Sequence, residues 1–213
     1  MNWSARRWSC LIEAFAYVGF IGWYIWKLQA TAPGTWWVML VWLVASFLVR
    51  RDTPKTMGWR GDNLAAAGKP AAWFFGVSSL LICLAGLFLG MLHRAPTHLI
   101  EPKRLGSYMA FCLLQQVGLN SFLTNRLLTA LEKRVPAAVL AGALFAALHW
   151  PNPVLMPLTF VGGMGMAWLF AKERNILVLT LGQAILGALV WWAFPMGWHH
   201  SMRVGPGYFS HQP

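Results

Sequence analysis

Long apolar stretches separated by short polar segments dominate the chain. Several of these stretches approach the roughly 20 residues that an α-helix needs to cross a bilayer. We therefore predict an all-α fold, a polytopic transmembrane helical bundle of about seven spans. An eighth span would reverse only the side on which the C-terminal tail lies. The predicted spans are residues 9–29, 35–49, 71–92, 106–131, 136–150, 154–171 and 176–194.

Two of these spans are short, namely residues 35–49 and 136–150, and we expect them to be tilted, extended or partly re-entrant. The sequence WPNPVLMP, residues 150–157, should break the helix because proline lacks the backbone N–H that a helix needs. No internal repeat and no low-complexity linker is visible. Residues 1–213 are therefore predicted to form a single membrane domain.

Composition agrees with the hydropathy pattern, since 58% of the residues are hydrophobic, only 11% are charged and the mean hydropathy is +0.52. The 14 tryptophans fit the aromatic belts found at membrane interfaces. Three cysteines fall in or beside apolar segments, and we interpret them as small apolar residues and not as disulfide partners. They are Cys10, Cys83 and Cys112.

The net charge of +11 does not indicate nucleic-acid binding, because no basic stripe with interleaved aromatic residues lies on a polar segment. Lysines and arginines instead occupy short loops, where the positive-inside rule applies. Their distribution predicts a multi-pass protein of the bacterial inner membrane with a cytoplasmic N-terminus. Twelve of the 17 then lie inside, namely Arg6, Arg7, Arg50, Arg51, Lys55, Arg60, Lys69, Arg126, Lys133, Arg134, Lys172 and Arg174, against Lys27, Arg94, Lys103, Arg104 and Arg203 outside.

Polar side chains interrupt the fourth span, in the sequence FCLLQQVGLNSFLTNRLL of residues 111–128. Gln116 and Asn120 are four residues apart and share one helix face, while Gln115 points about a quarter-turn away. Taken alone, such amides are often only hydrogen-bonded contacts between membrane helices.

Two later spans also carry polar residues, namely His149 in LFAALHW and Gln183 in LTLGQAILG, which has Gly187 one turn on. His149 alone is either a packing residue or a group that binds metal or moves a proton. A rise of ~1.5 Å per residue places Gln116, His149 and Gln183 within a turn or two of the bilayer midplane. We therefore predict that the fourth, fifth and seventh spans converge around one buried pocket.

The order and spacing of these residues resemble the CPBP family of CAAX-type intramembrane proteases and bacteriocin-processing proteins, also called Abi. The family pattern is Glu-Glu-x-x-x-Arg, then Phe-x-x-x-His, then His-x-x-x-Asn. QQVGLN stands where the first motif belongs, FAALH matches the second, and QAILG stands where the third belongs. DTPKTMGWRGDN looks like the loop before the family core and KERNILVLTLGQA like its last helix, so the resemblance covers residues 50–195.

The resemblance implies a site in which the leading glutamate activates water, while histidines position that water and stabilise the oxyanion; some accounts add a metal. Here only Phe145 and His149 match in residue type, and glutamine cannot act as a general base. Of the carboxylates, only Glu13 lies in a predicted span, and it would need tilt to reach His149. The positions that match the family motifs are Gln115, Gln116, Asn120, Phe145, His149 and Gln183.

Three functions remain open. The first is a non-proteolytic site that binds a peptide tail, a prenyl or other lipid, or a partner membrane protein. The second is an active intramembrane endopeptidase whose catalytic residues lie elsewhere. The third is metal or proton handling, with zinc or copper held by His149 and the outer histidines; otherwise no cofactor is predicted. Those outer histidines are His93, His98, His199, His200 and His211.

Overall fold

A computed structural model describes residues 3–91 and 102–210, and a helix lies at each of the seven predicted positions. Within these described ranges no strand forms. The helices are α1 (Trp3–Thr31, including a π turn), α2 (Trp36–Arg50), α3 (Pro54–Met57), α4 (Leu64–Phe88), α5 (102–131), α6 (Arg134–Ala147), α7 (Leu155–Glu173), α8 (Ile176–Ala193), α9 (Met196–His199) and α10 (Pro206–Phe209).

The all-α membrane bundle is confirmed. Five helices of the described chain are long and apolar enough to cross a bilayer, namely α1, α2 with its preceding turn, α4, α7 and α8. Helix α6 is a shorter apolar helix. The predicted number of seven spans therefore also requires α5 and α6 to cross.

Several helix boundaries differ from the prediction by three residues or more, and the start of α4 differs most. Helix α4 begins at Leu64, well before residue 71, and continues through Pro70. The charged and proline-containing stretch before residue 71 had indicated a loop, yet its alanines are strong helix formers. Helix α6 ends at Ala147 because the chain turns there towards Asn152, whose Oδ1 accepts from the backbone N–H groups of Val154 and Leu155.

Small residues bring pairs of helices close together. In the contact of α6 with α7, a Cβ on Gly142 would lie 2.6 Å from the carbonyl oxygen of Phe160. In the contact of α4 with α8, a Cβ on Gly182 would lie 2.1 Å from the ring of Phe75. Such close approach provides the van der Waals packing that holds helices together in lipid.

Helix α5 lies at the centre of the bundle, and its π-helical segment Val117–Thr124 is almost wholly buried. Apolar residues of this helix, such as Phe122 and Leu127, belong to the main core cluster with residues of α1, α2, α6 and α7. A π turn inserts an extra residue into a helical turn and often marks a functional region.

Hydrogen bonds from α5 hold the polar loop between α2 and α4 against the bundle. Ser121 donates to the carbonyl of Met57 at 2.5 Å, and Asn125 donates to that of Thr56 at 2.8 Å. Gly58 has a φ of +84°, and a Cβ there would lie 2.6 Å from the ring of Phe170, so this turn requires glycine.

The segment after α8 folds back over the turn between α6 and α7. Asn152 donates to the carbonyl oxygens of His199, at 2.8 Å, and Arg203, at 3.0 Å. The N–H of Gly205 donates to the carbonyl of Trp150 at 3.0 Å. As far as residue 210 this segment holds only short helical turns, so it contains no eighth span.

Candidate functional site

Four amide side chains of α5 and α8 form one continuous hydrogen-bonded chain. Asn120 Nδ2 donates to Gln116 Oε1, Gln116 Nε2 donates to Gln183 Oε1, and Gln183 Nε2 donates to Gln115 Oε1, each at 2.5 Å. Thr124 lies at the start of this chain, with its hydroxyl 3.1 Å from Asn120 Oδ1. The expected contact between the fourth and seventh spans is therefore present.

The buried side chains of this amide chain have hydrogen-bond partners. Gln116, Asn120 and Thr124 are completely inaccessible, whereas Gln115 and Gln183 are partly accessible at the wall of a cavity. A buried amide without a partner costs about 1–3 kcal/mol, and here the side-chain oxygens of Gln115, Gln116 and Gln183 each accept a hydrogen bond from another amide. The chain thus places four amides in the membrane interior at little cost and without any charge.

His149 lies beyond the C-terminal end of α6 and faces the same cavity as Gln115 and Gln183. Its Nδ1 lies 2.7 Å from the carbonyl oxygen of Phe145, and its ring packs edge-on against the Phe145 ring at 4.7 Å. Because a carbonyl only accepts, Nδ1 carries the proton, which leaves Nε2 as an acceptor. The structure thus brings the three predicted spans to one cavity, although it gives His149 no hydrogen bond to the amide chain.

The cavity has a volume of about 1010 Å³ and lies between α1, α2 and α4–α8. Its walls are largely apolar, and no Asp, Glu, Lys or Arg of the described residues lines it. Gln116 and Asn120 lie behind the wall. The sequence analysis missed several polar lining residues, namely Tyr17, Tyr24, Gln29, Ser78, Tyr108 and Thr159.

Gly187, at the position of the family asparagine, makes room for Tyr108 of α5. A Cβ on Gly187 would lie 1.7 Å from the Tyr108 hydroxyl oxygen. A tyrosine hydroxyl therefore occupies the space that a side chain at residue 187 would need. A polar aromatic residue two turns before Gln115 was the only sequence signal for this contact.

Glu13 does not reach His149. Its carboxylate pairs with Arg50, at 3.0 Å, and with Arg126, at 3.4 Å, and it also accepts from the Ser46 hydroxyl. Arg126 is itself 3% exposed and pairs with Asp52 at 2.7 Å. This ionic cluster was missed by the sequence analysis; its signal was an arginine within the apolar fourth span.

Other carboxylates of the described chain also lie outside the cavity. Glu132 pairs with Arg7 at 3.1 Å, and Asp62 with Arg60 at 2.5 Å. The hydrogen bond from the Arg60 guanidinium lowers the pKa of Asp62 to about 2. Glu101, together with His93, His98 and His211, lies outside the described residues.

The donor set at the cavity does not fit zinc. Zinc favours thiolate, imidazole and carboxylate ligands, and the cavity offers a single imidazole among neutral amides. Within residues 3–91 and 102–210, no group of three or more His, Cys, Asp or Glu side chains could hold a metal ion. We therefore derive no reaction step through a metal.

The arrangement can bind but lacks a carboxylate base. Amides donate and accept hydrogen bonds without exchanging protons near neutral pH, so the cavity wall provides polarity and no titrating carboxyl group. Imidazole is the side chain that most readily transfers protons near neutral pH, and His149 is the one histidine of the described residues that lines the cavity.

Comparison with known proteins adds one finding. Residues 104–189, which include the amide chain, Phe145 and His149, match the family model described as type II CAAX prenyl endopeptidase Rce1-like. No curated protein and no solved structure matches the chain. The matched segment runs from α5 to α8, the helices that build the polar wall of the cavity. Residues 104–189 are therefore similar to the Rce1-like CAAX protease family, within the CPBP group that the sequence motifs resemble.

Proposed function

We propose that this protein is a non-proteolytic member of its family, in which the intramembrane cavity binds an apolar ligand. The ligand is a peptide tail, a prenyl or other lipid, or a segment of a partner membrane protein, so the protein acts as a scaffold or processing accessory. The amide chain carries this proposal, because Gln115 and Gln116 stand where the family chemistry requires a group that accepts a proton.

The nearest alternative bases support the same conclusion. Glu13 and Asp52 are held in ion pairs with Arg50 and Arg126 and do not line the cavity. Moving one of these carboxylates to the cavity would remove one of the two counterions of buried Arg126, which is unfavourable. The shape and polarity of the family site thus persist without its acid–base chemistry.

Location and orientation belong to the same proposal. The protein is placed in a bacterial inner membrane with its N-terminus in the cytoplasm. The ion pairs of Arg7 with Glu132 and of Arg50 with Glu13 gather the basic ends of α1, α2 and α5 at one end of the bundle. Reporter fusions at the N-terminus and after residue 174 should both report the cytoplasm; a periplasmic signal from either contradicts this orientation.

Active intramembrane proteolysis is the second candidate, and the family match together with the acceptor Nε2 of His149 favours it. The two candidates separate in proteoliposomes that contain the purified protein and a prenylated peptide. We expect the peptide to bind without cleavage by the wild type and by Gln116→Glu. Cleavage by the wild type that is lost in His149→Ala would instead establish the peptidase. If the prenylated peptide is neither cleaved nor bound, the cavity does not bind this class of ligand and the proposal is contradicted.

A further inference from the structure

The amide chain ends in an unused donor at the cavity wall. Gln115 Oε1 accepts from Gln183, but Gln115 Nε2 has no partner among the described residues. Gln115 is partly accessible and lines the cavity. An N–H group that faces an apolar wall without a protein partner is poorly satisfied, and a ligand carrying an acceptor would satisfy it.

Met166 determines the direction of the chain. Its thioether sulfur lies 3.0 Å from Gln116 Nε2 and can only accept a hydrogen bond. The amide nitrogen of Gln116 must therefore face both Met166 and Gln183 Oε1, while its oxygen faces Asn120. With Gln116 fixed, the Gln183 amide must accept from Gln116 and donate to Gln115.

Successive hydrogen bonds of one direction polarise one another, so the last donor is stronger than an isolated amide. The series of amide donors runs from Asn120 Nδ2 to Gln115 Nε2, so this polarisation adds up at the cavity. The amide chain therefore presents N–H donors to the cavity, whereas its oxygens already accept hydrogen bonds.

The cavity excludes charge. No Asp, Glu, Lys or Arg of the described residues lines it, so a charged headgroup would be desolvated without one of these counterions. Its volume of about 1010 Å³ lies at the upper end of the ~300–1,000 Å³ typical of ligand sites. A long hydrocarbon chain with a small neutral headgroup matches both properties.

We propose that the cavity selects a neutral long-chain carbonyl amphiphile, a fatty ester or fatty amide, whose carbonyl oxygen accepts a hydrogen bond from Gln115 Nε2. The hydrocarbon chain lies along the apolar wall. This inference rests on the proposed binding function and adds the chemical class of the ligand and the residue that recognises it.

Brominated lipids test the proposal, because bromine quenches tryptophan on contact and Trp36 and Trp191 line the cavity. The purified full chain in detergent is titrated with brominated methyl stearate, stearamide, ionised stearate at alkaline pH, and octadecane. We expect the ester and the amide to bind about tenfold more tightly than octadecane, the gain of one good hydrogen bond. Gln115→Leu should reduce this ratio to about one.

Thr31→Val is the control, because Thr31 is an exposed polar residue that does not line the cavity, and it should keep the tenfold ratio. Met166→Leu should reduce the ratio, since leucine cannot accept from Gln116. Circular dichroism confirms that each variant is folded.

The outcomes separate this inference from the proposed function. Equal affinity of the ester and octadecane for the wild type overturns the donor role of Gln115 and leaves ligand binding intact. Tighter binding of ionised stearate than of the ester overturns the neutrality of the site. An unchanged ratio in Met166→Leu overturns the direction assigned to the amide chain. Quenching by none of the four lipids overturns the inference, whereas the proposed function is decided separately by binding of the prenylated peptide.

Discussion

Gln116 of α5 donates a hydrogen bond from Nε2 to Oε1 of Gln183 of α8 at 2.5 Å, and the two residues are 67 positions apart. This bond ties the central helix of the bundle to its last long helix inside the membrane. Hydrogen bonds between membrane helices typically contribute ~0.6–2 kcal/mol, less than the cost of leaving one partner buried and unpaired. The contact therefore specifies how α5 and α8 are rotated more than how tightly they associate.

The pairing of Gln116 with Gln183 predicts non-additive stabilities. Gln116→Leu and Gln183→Leu should each lower the free energy of unfolding by about 1–3 kcal/mol, because each leaves a buried amide without a partner. The double variant should cost less than the sum of the two, since it removes both groups. Unfolding in mixed detergent micelles, followed by circular dichroism, measures these values. Strict additivity would contradict the pairing.

Arg126 should be the most sensitive position of the ionic cluster. Its guanidinium contacts Asp52 and Ser46 at 2.7 Å and lies 5.2 Å from the centre of the Phe122 ring. Arg126→Ala should cost about 3–5 kcal/mol of unfolding free energy, because it leaves Asp52, whose side chain is only 13% exposed, without its counterion.

Two further substitutions test the geometry around Arg126. Arg126→Lys should recover only part of the loss, since an ammonium cannot reproduce the forked contacts of a guanidinium. Arg7→Ala is the control, because Arg7 and Glu132 form a more exposed ion pair that should contribute below about 1 kcal/mol. Equal losses of unfolding free energy for Arg126→Ala and Arg7→Ala would show that the buried ion pairs contribute no more than an exposed one.

Gly142 should not tolerate even alanine. The added Cβ would lie 2.6 Å from the Phe160 carbonyl oxygen and 2.8 Å from the Met164 backbone nitrogen, and neither can move without shifting α7. Gly142→Ala should therefore cost about 1–3 kcal/mol or more in thermal or chemical unfolding. Gly162→Ala on α7 is the matched control, because the nearest atom to its added Cβ is 4.0 Å away. A stabilising Gly142→Ala would contradict the close contact of α6 with α7.

Asn175 caps α8 and fastens the loop that precedes α4. Its Oδ1 accepts from the Val178 N–H at 3.1 Å, and its Nδ2 donates to the Arg60 carbonyl at 2.9 Å and to Asn63 Oδ1 at 2.8 Å. Asn175→Ala should lose about 1–2 kcal/mol of unfolding free energy. Asn175→Asp should retain the helix cap but lose the loop contacts, so it should fall between alanine and wild type. If Asn175→Ala and Asn175→Asp are equally stable, the whole loss of stability comes from the loop contacts and none of it from the helix cap.

The pair of Arg60 with Asp62 predicts a measurable titration. The hydrogen bond from Arg60 lowers the pKa of Asp62 to about 2, from an ordinary value of 3.8. Because the folded-state pKa is lowered, the pair stabilises the fold above about pH 4, and this contribution is lost as the pH falls towards 2. Side-chain ¹³C NMR of aspartate-labelled protein should show this midpoint. Arg60→Gln should raise the Asp62 midpoint towards 3.8; an unchanged midpoint would contradict the pair.

The sequence by itself determined where the membrane helices lie. Span length and hydropathy are local properties, so they located α1, α2 and α5–α8 to within a few residues. They failed at the start of α4, where Lys69 and Pro70 indicated a loop but alanines extend the helix. Residue depth is also nearly local, because helix rise is constant, and this is why Gln116 and Gln183 were expected at one level.

Only the tertiary structure decided which side chains meet. Periodicity shows which residues share a face but not how neighbouring helices are rotated, so it could not assign Glu13 to Arg126 rather than to the cavity. For the same reason, the sequence could not show that Tyr108 packs against Gly187. Nor could it show that Ser121 and Asn125 donate hydrogen bonds to loop carbonyls. The direction of the amide chain depends on the Met166 sulfur, 50 residues from Gln116. Contacts of this kind arise from close packing between distant helices, and no local pattern of residues contains them.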